Sequence, residues 1–158
     1  MKAFVRDVAG LARAGEPFVL VTVVESSGST PRSSGAKMAV RGDGTIIGTV
    51  GGGLAEARAC RAGLEMVRSG AADGEAQLMF VDMTQELAAN SDMICGGGLT
   101  MLLELAMAGG ECARVYDELD GMLRKGTPAT LVTRIEDGDV PRVVGHEIAE
   151  GRPSGEVP

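Results

Sequence analysis

Aromatic residues are scarce, with no tryptophan, one tyrosine and three phenylalanines in 158 residues. The interior must be filled by Leu, Val, Ala and nine methionines, a mixture that adapts to irregular gaps and specifies no ligand. Cysteine is sparse too: Cys60, Cys95 and Cys112 are widely spaced without a C-x-x-C pair, and His146 is the sole histidine. This excludes a disulfide framework and argues against structural zinc. Cations are outnumbered, 15 Lys and Arg against 22 Asp and Glu, for a net charge of −7. Nucleic acid and anionic membrane partners, which require clustered Lys and Arg, are discounted on that balance. No apolar run reaches the length of a bilayer span, and Arg6 and Asp7 interrupt the N-terminus where a signal peptide would carry its apolar core. The expected location is the cytoplasm.

What is present is enough for one globular domain: 44% apolar residues for a core and 23% charged residues to cover it. The expected fold class is α/β, a mixed sheet flanked by helices. One domain is expected over residues 1–147, followed by a frayed tail at 148–158 with little apolar content.

The organising stretch is Glu25 to Glu56, ESSGSTPRSSGAKMAVRGDGTIIGTVGGGLAE. It follows a helix over 2–14 (Phe4, Val5, Val8, Leu11 and Ala12 on one face, Gly15 as stop) and the strand Phe18 to Val24, apolar enough to be covered on both sides. Lys37–Arg41 and Thr45–Val50 flank the Gly42-Asp43-Gly44 turn and predict a hairpin, which brings loops 26–35 and 51–53 to one end of the sheet. A helix over 54–68 follows, with Leu54, Ala57, Cys60, Leu64 and Val67 toward the sheet. Strands are predicted over 77–81 and 100–105, a helical turn or irregular connection over 82–90, a helix striped by Cys112, Val115, Leu119 and Met122, and a strand over 128–135.

An internal helix–strand repeat is also readable. Leu20-Val21-Thr22, Glu25, Pro31-Arg32 and Gly35 recur in order as Leu131-Val132-Thr133, Glu136, Pro141-Arg142 and Gly145, each set preceded by a helix ending in glycine.

Three features carry chemistry. The Ser26–Gly35 loop concentrates hydroxyls, bare amides and the Arg32 guanidinium, suited to a bidentate grip on phosphate; its bland alternative is a solvated linker. Gly51-Gly52-Gly53 before a helix makes either an anion cradle or a tight turn, and is neither a Walker A nor a G-x-G-x-x-G motif. Glu56 in the first helical turn is explained by the helix dipole without any ligand. Cys95, ahead of Gly96-Gly97-Gly98, sits at a strand mouth where amides lower a thiol pKa, while Cys60 and Cys112 read as small buried hydrophobes. With no histidine near Cys95 in sequence, a cysteine-hydrolase dyad is not expected.

Residues 20–59, LVTVVESSGSTPRSSGAKMAVRGDGTIIGTVGGGLAEARA, and 93–104, MICGGGLTMLLE, resemble the N-terminal domain of the XdhC/CoxI family, accessory proteins that mature molybdenum hydroxylases such as xanthine dehydrogenase. The resemblance implies a chaperone that binds molybdopterin cofactor, presents it to a cysteine desulfurase for sulfuration and delivers it to the hydroxylase, without itself catalysing a reaction. Carried over by position, the cofactor-binding residues are Ser29, Pro31, Arg32, Gly35, Gly51, Gly52, Gly53, Glu56, Cys95, Gly96 and Gly97, with Cys95 as the contact to molybdenum or its sulfur. The family pattern adds a Rossmann-like C-terminal domain, and no dinucleotide fingerprint occurs in these residues. Many relatives carry a cysteine where this chain has Leu54. Two other readings stand beside this one: a pterin- or nucleotide-modifying enzyme or sulfur carrier using Cys95, and a partner-docking module without cofactor. A homodimer is expected if a sheet edge or apolar patch lies open.

Overall fold

The computed structural model describes residues 1–28, 34–82, 97–136 and 142–151. Among the described residues three helices, α1 (Lys2–Ala14), α2 (Gly53–Arg68) and α3 (Glu111–Arg124), are set among seven strands: β1 (Phe18–Gly28), β2 (Lys37–Arg41), β3 (Ile46–Gly48), β4 (Ala76–Asp82), β5 (Gly97–Ala106), β6 (Ala129–Glu136) and β7 (Arg142–Glu150). Five strands form one sheet in the order β3-β2-β1-β5-β4, and β6 pairs with β7 in a second, two-stranded sheet. The α/β class and the flanking helices agree with expectation. Every pairing among the described strands is antiparallel.

Alternation along β1 explains the layering. Val19, Val21 and Val23 point to one face, where Met38, Val40, Leu99, Met101, Leu103 and Leu105 join them beneath α2. Phe18 and Leu20 point to the other, packed with Ala39, Ala106 and residues of α1 and α3. A strand buried on both faces has to be apolar in succession, which is why 18–24 reads as a nearly unbroken run.

Helix α1 stops as expected, at Gly15 in the left-handed conformation (φ 71°), whose N–H reaches Ala12 O at 3.2 Å. The facing residues of α2 differ from the expected stripe. Ala55, Ala59, Gly63 and Met66 lie flat on the sheet, with Leu54, Cys60, Leu64 and Val67 to the sides and Ala57 exposed. A Cβ on Gly63 would come within 3.1 Å of Val40, so small residues bring this helix close and larger ones close its flanks. In α3 the buried positions are Cys112, Ala113, Tyr116, Leu119 and Asp120, displacing Val115 and Met122 from the expected stripe.

The frayed tail expected from residue 148 does not begin there, and residues 152–158 lie outside the described residues. Residues 148–150 belong to β7, where Ile148 pairs with Leu131 and packs on the lower core. A single inward residue between exposed neighbours suffices, because the hairpin buries only one face. The helical turn or connection expected over 82–90 falls, from residue 83 on, outside the described residues. Both copies of the sequence echo have the order helix, glycine, antiparallel pair, but the first pair is built into the five-stranded sheet and the second stands alone.

Candidate functional site

The loops of the organising stretch leave from one end of the large sheet. β2 starts opposite Thr22, and the Gly35 N–H returns to Val23 O at 2.8 Å. β1 and β5 run on past that level to the pair Gly28 and Gly97. Ser27 fastens this extension: its hydroxyl accepts from the Gly98 N–H at 3.1 Å. The strand ends leading into the two expected motif loops are therefore neighbours. Ser29, Pro31, Arg32, Cys95 and Gly96 lie outside the described residues.

The glycine turn is a conformational necessity. Gly51, Gly52 and Gly53 have φ of 128°, 83° and 58°, consecutive values that L side chains resist. At Gly52 a Cβ would meet nothing within 4 Å, so torsion rather than crowding demands glycine there, and the space beside it is open. The turn delivers the chain into α2 with its first N–H groups pointing out of the helix end. Glu56 bends back onto this end. Its carboxylate accepts from the Gly52 N–H at 2.9 Å and from the Thr49 hydroxyl, while Thr49 Oγ1 accepts from the Gly51 N–H at 3.1 Å. The structure thus joins Gly51, Gly52 and Glu56 in one network in which a carboxylate already serves a helix-end donor. An incoming anion would share or take that place.

Gly97 stands apart from this turn. β3, which feeds the turn, and β5 are three strands apart in the sheet, about 14 Å at the usual spacing. Only an extended ligand spans both. Gly35 lies between them, exposed, with φ 88°.

A second constellation, missed by sequence reasoning, lies on the opposite side of β1 from α2. Glu104 comes from β5, Cys112 from the first turn of α3 and His146 from β7, and their ligating atoms all lie within 4.8 Å of one another. His146 Nε2 is 2.7 Å from Glu104 Oε1, with side-chain exposures of 1% and 3%. His146 Nδ1 is 3.1 Å from Thr133 Oγ1, and the His146 backbone N–H donates to Glu111 Oε1 at 2.9 Å. Burial, and next the Glu104 charge, push the Cys112 thiol well above its ordinary pKa. Lys37 faces the same interior, donating to Thr22 Oγ1 at 2.7 Å, and burial lowers its pKa. The available signal was Glu104 itself, a lone charge in the apolar run Leu99 to Ala106. A carboxylate is rarely buried there without a partner.

No helix among the described residues is long and apolar enough to cross a membrane. Residues 11–79 match the model of the XdhC and CoxI family. The chain is 38% identical over 91 residues to the Escherichia coli molybdenum cofactor insertion chaperone PaoD, a match covering 56% of this chain and 26% of PaoD. It is 32% identical over 99 residues to Escherichia coli YqeB, covering 63% of this chain and 17% of that protein. The matched segments are thus about a quarter or less of these relatives' lengths. A crystal structure described as a xanthine dehydrogenase from Bacillus halodurans shares the fold, with a TM-score of 0.71 at 19% identity over 96% of this chain and 46% of its own. The XdhC and CoxI resemblance expected from the sequence is borne out, and it is carried by residues 11–79.

Proposed function

We propose that this chain is a noncatalytic carrier module for the molybdenum cofactor, acting in the cytoplasm to support its sulfuration and insertion into a xanthine dehydrogenase-type hydroxylase. The observation that carries the reading is that the strand ends leading into both motif loops, Gly28 of β1 and Gly97 of β5, pair at the same end of the sheet from which β3 feeds the glycine-led start of α2. The similarity to PaoD supports the same class. Molybdopterin, with a flat pterin and a phosphate or nucleotide tail, has the extended shape that separated donor groups require. On this reading Ser29, Arg32 and the amides of Gly51, Gly52 and Gly53 hold its polar groups. Pro31 and Gly35 shape the loop, Gly96 and Gly97 let the backbone approach, and Cys95 faces the metal or its sulfur. Glu56 holds the amides of the cradle in place until the anionic group arrives.

The partners are a cysteine desulfurase and the hydroxylase that receives the cofactor. Edge strand β4 offers a docking surface, with Leu78 at 44% and Phe80 at 64% exposure. A homodimer through the same edge is the alternative occupant, and sedimentation equilibrium that finds monomer at all concentrations removes it.

The test is anaerobic titration of the purified protein with molybdenum cofactor, wild type beside Arg32→Ala and Cys95→Ser. Stoichiometric binding weakened by both substitutions supports the carrier. A folded wild type that binds no cofactor overturns it.

A further inference from the structure

We propose that Glu104, Cys112 and His146 form a zinc site that bolts the β6–β7 hairpin to the main sheet. The three side chains come from three separate elements, β5, α3 and β7, and offer one oxygen, one sulfur and one nitrogen within 4.8 Å of one another. A tetrahedral Zn²⁺ with bonds of about 2.0–2.3 Å places its ligands about 3.3–3.8 Å apart. The set needs only a small rearrangement, chiefly the opening of the 2.7 Å contact between His146 and Glu104. Calcium and magnesium are poor occupants, since they take six or more oxygens, whereas a mixed sulfur, nitrogen and oxygen set suits zinc.

Two further observations point to a ligand. Thr133 Oγ1, 3.1 Å from His146 Nδ1, orients the ring as outer-shell partners of metal-bound histidines do. Tyr116 follows Cys112 by one helical turn and buries a hydroxyl that has no hydrogen-bond partner among the described residues. Tyr116 and Cys112 belong to the same buried cluster, so this unpartnered polar atom lies in the interior that Cys112 shares.

Loading balances simply. Cys112 releases its thiol proton to water as the Zn–S bond forms. The imidazole moves its proton from Nε2 to Nδ1, where Thr133 accepts it, and Nε2 and Glu104 Oε1 turn to the metal. One thiolate and one carboxylate then match the divalent charge. Because the three side chains are almost fully buried, the ion enters during folding or when the hairpin lifts.

The full chain, stripped with EDTA, would be titrated with Zn²⁺ against a competing chelator and with Co²⁺ as a spectroscopic stand-in. One equivalent per chain is expected, with a thiolate-to-cobalt charge-transfer band that disappears in Cys112→Ser and persists in Cys60→Ser. Affinity should fall about 10-fold in Thr133→Val and about 100-fold or more in His146→Ala. X-ray absorption of the wild-type zinc form decides the matter without any variant: one sulfur with nitrogen and oxygen neighbours supports the site. Failure of folded wild type to take up metal overturns the assignment. So does a sulfur-free shell, or a band that survives Cys112→Ser and so belongs to Cys60 or Cys95.

Discussion

The two helix–hairpin units of this chain share a local plan and are secured in different ways. In the first, α1 leads through Gly15 into β1 and β2, and β1 is sandwiched between β2 and β5 with apolar residues on both faces. In the second, α3 leads through Gly126 into β6 and β7, which among the described strands pair only with each other and keep most side chains half-buried or exposed. Its apolar contribution to the core is modest: Leu131, Ala129 and Ile148 at the margin of the lower cluster. What reaches deepest is polar, the His146 imidazole against Glu104. A two-stranded sheet is marginal by itself. The comparison teaches that the second hairpin is held through one buried polar contact as much as through area.

The strongest way to break this comparison is Glu104→Ala, measured by urea denaturation in EDTA. It strands the buried His146 Nε2 and removes a charge that favours the ammonium of Lys37. A loss of about 3 kcal/mol is expected, the scale for orphaning a buried polar partner. The double change Glu104→Leu with His146→Leu should cost less than Glu104→Ala alone, because neither member of that buried pair is then stranded without the other. A double variant that is worse would assign the cost to packing.

The apolar side is sharpened by truncating one leucine in each unit. Leu103→Ala opens a cavity in a fully buried strand at a cost of about 3 kcal/mol. Leu131→Ala, at a half-buried position, should cost about 1 kcal/mol. Hydrogen exchange should rank the regions the same way, with β7 amides opening before those of β1. Equal costs and equal protection would show that the hairpin is as well packed as the sheet.

These differences set what was legible beforehand. The β1 run, the Gly42-Asp43-Gly44 hairpin and the glycine stop at Gly15 declare themselves, because period, turn chemistry and torsion all act within a few residues. The faces of α2 and α3 were harder. Ala55, Ala59 and Gly63 carry little hydrophobic signal yet lie closest to the sheet, and Tyr116 and Asp120 contact the interior through partners more than a hundred residues away or on another helix. The candidate cofactor residues Gly51 to Gly53 were legible as glycine with a purpose, and the purpose the torsions show is the turn itself. The Glu104, Cys112 and His146 cluster was invisible for a plainer reason. Its members are separated by up to 42 residues, and only the docking of a hairpin on α3 and β5 unites them.

Gly52→Ala separates the turn from the cradle at the first unit's open end. Gly52 sits at φ 83° and ψ −173°, a region essentially reserved for glycine, with no neighbour to clash with a methyl group. The expected loss is about 2 kcal/mol of stability from torsion alone. Glu56→Gln keeps the hydrogen-bonding shape and should cost less than 1 kcal/mol, since only the charge on the Gly52 amide is lost. Cofactor affinity read in both variants then distinguishes geometry from charge: a carrier loses affinity in Gly52→Ala, and Glu56→Gln leaves it equal or improves it by removing a competing anion.

The smallest effect concerns the joint between the two units. Asp120 on α3 accepts from Arg13 of α1 at 3.2 Å and from Arg124 on its own helix, while Arg13 also reaches Asp117 at 2.6 Å. Burial raises the Asp120 pKa, but the hydrogen bonds from Arg124 and Arg13 outweigh it and hold the carboxyl below its ordinary value of 3.8. The folded form therefore binds the proton less readily than the unfolded form does. The stabilisation is present above pH 3.8 and fades as the pH falls through the lower folded value. Asp120→Asn should flatten the acid limb of the stability profile and leave the profile near neutrality parallel to wild type. An unchanged acid limb would mean that the arginines make no net contribution there, and that α1 and α3 are joined by their apolar faces alone.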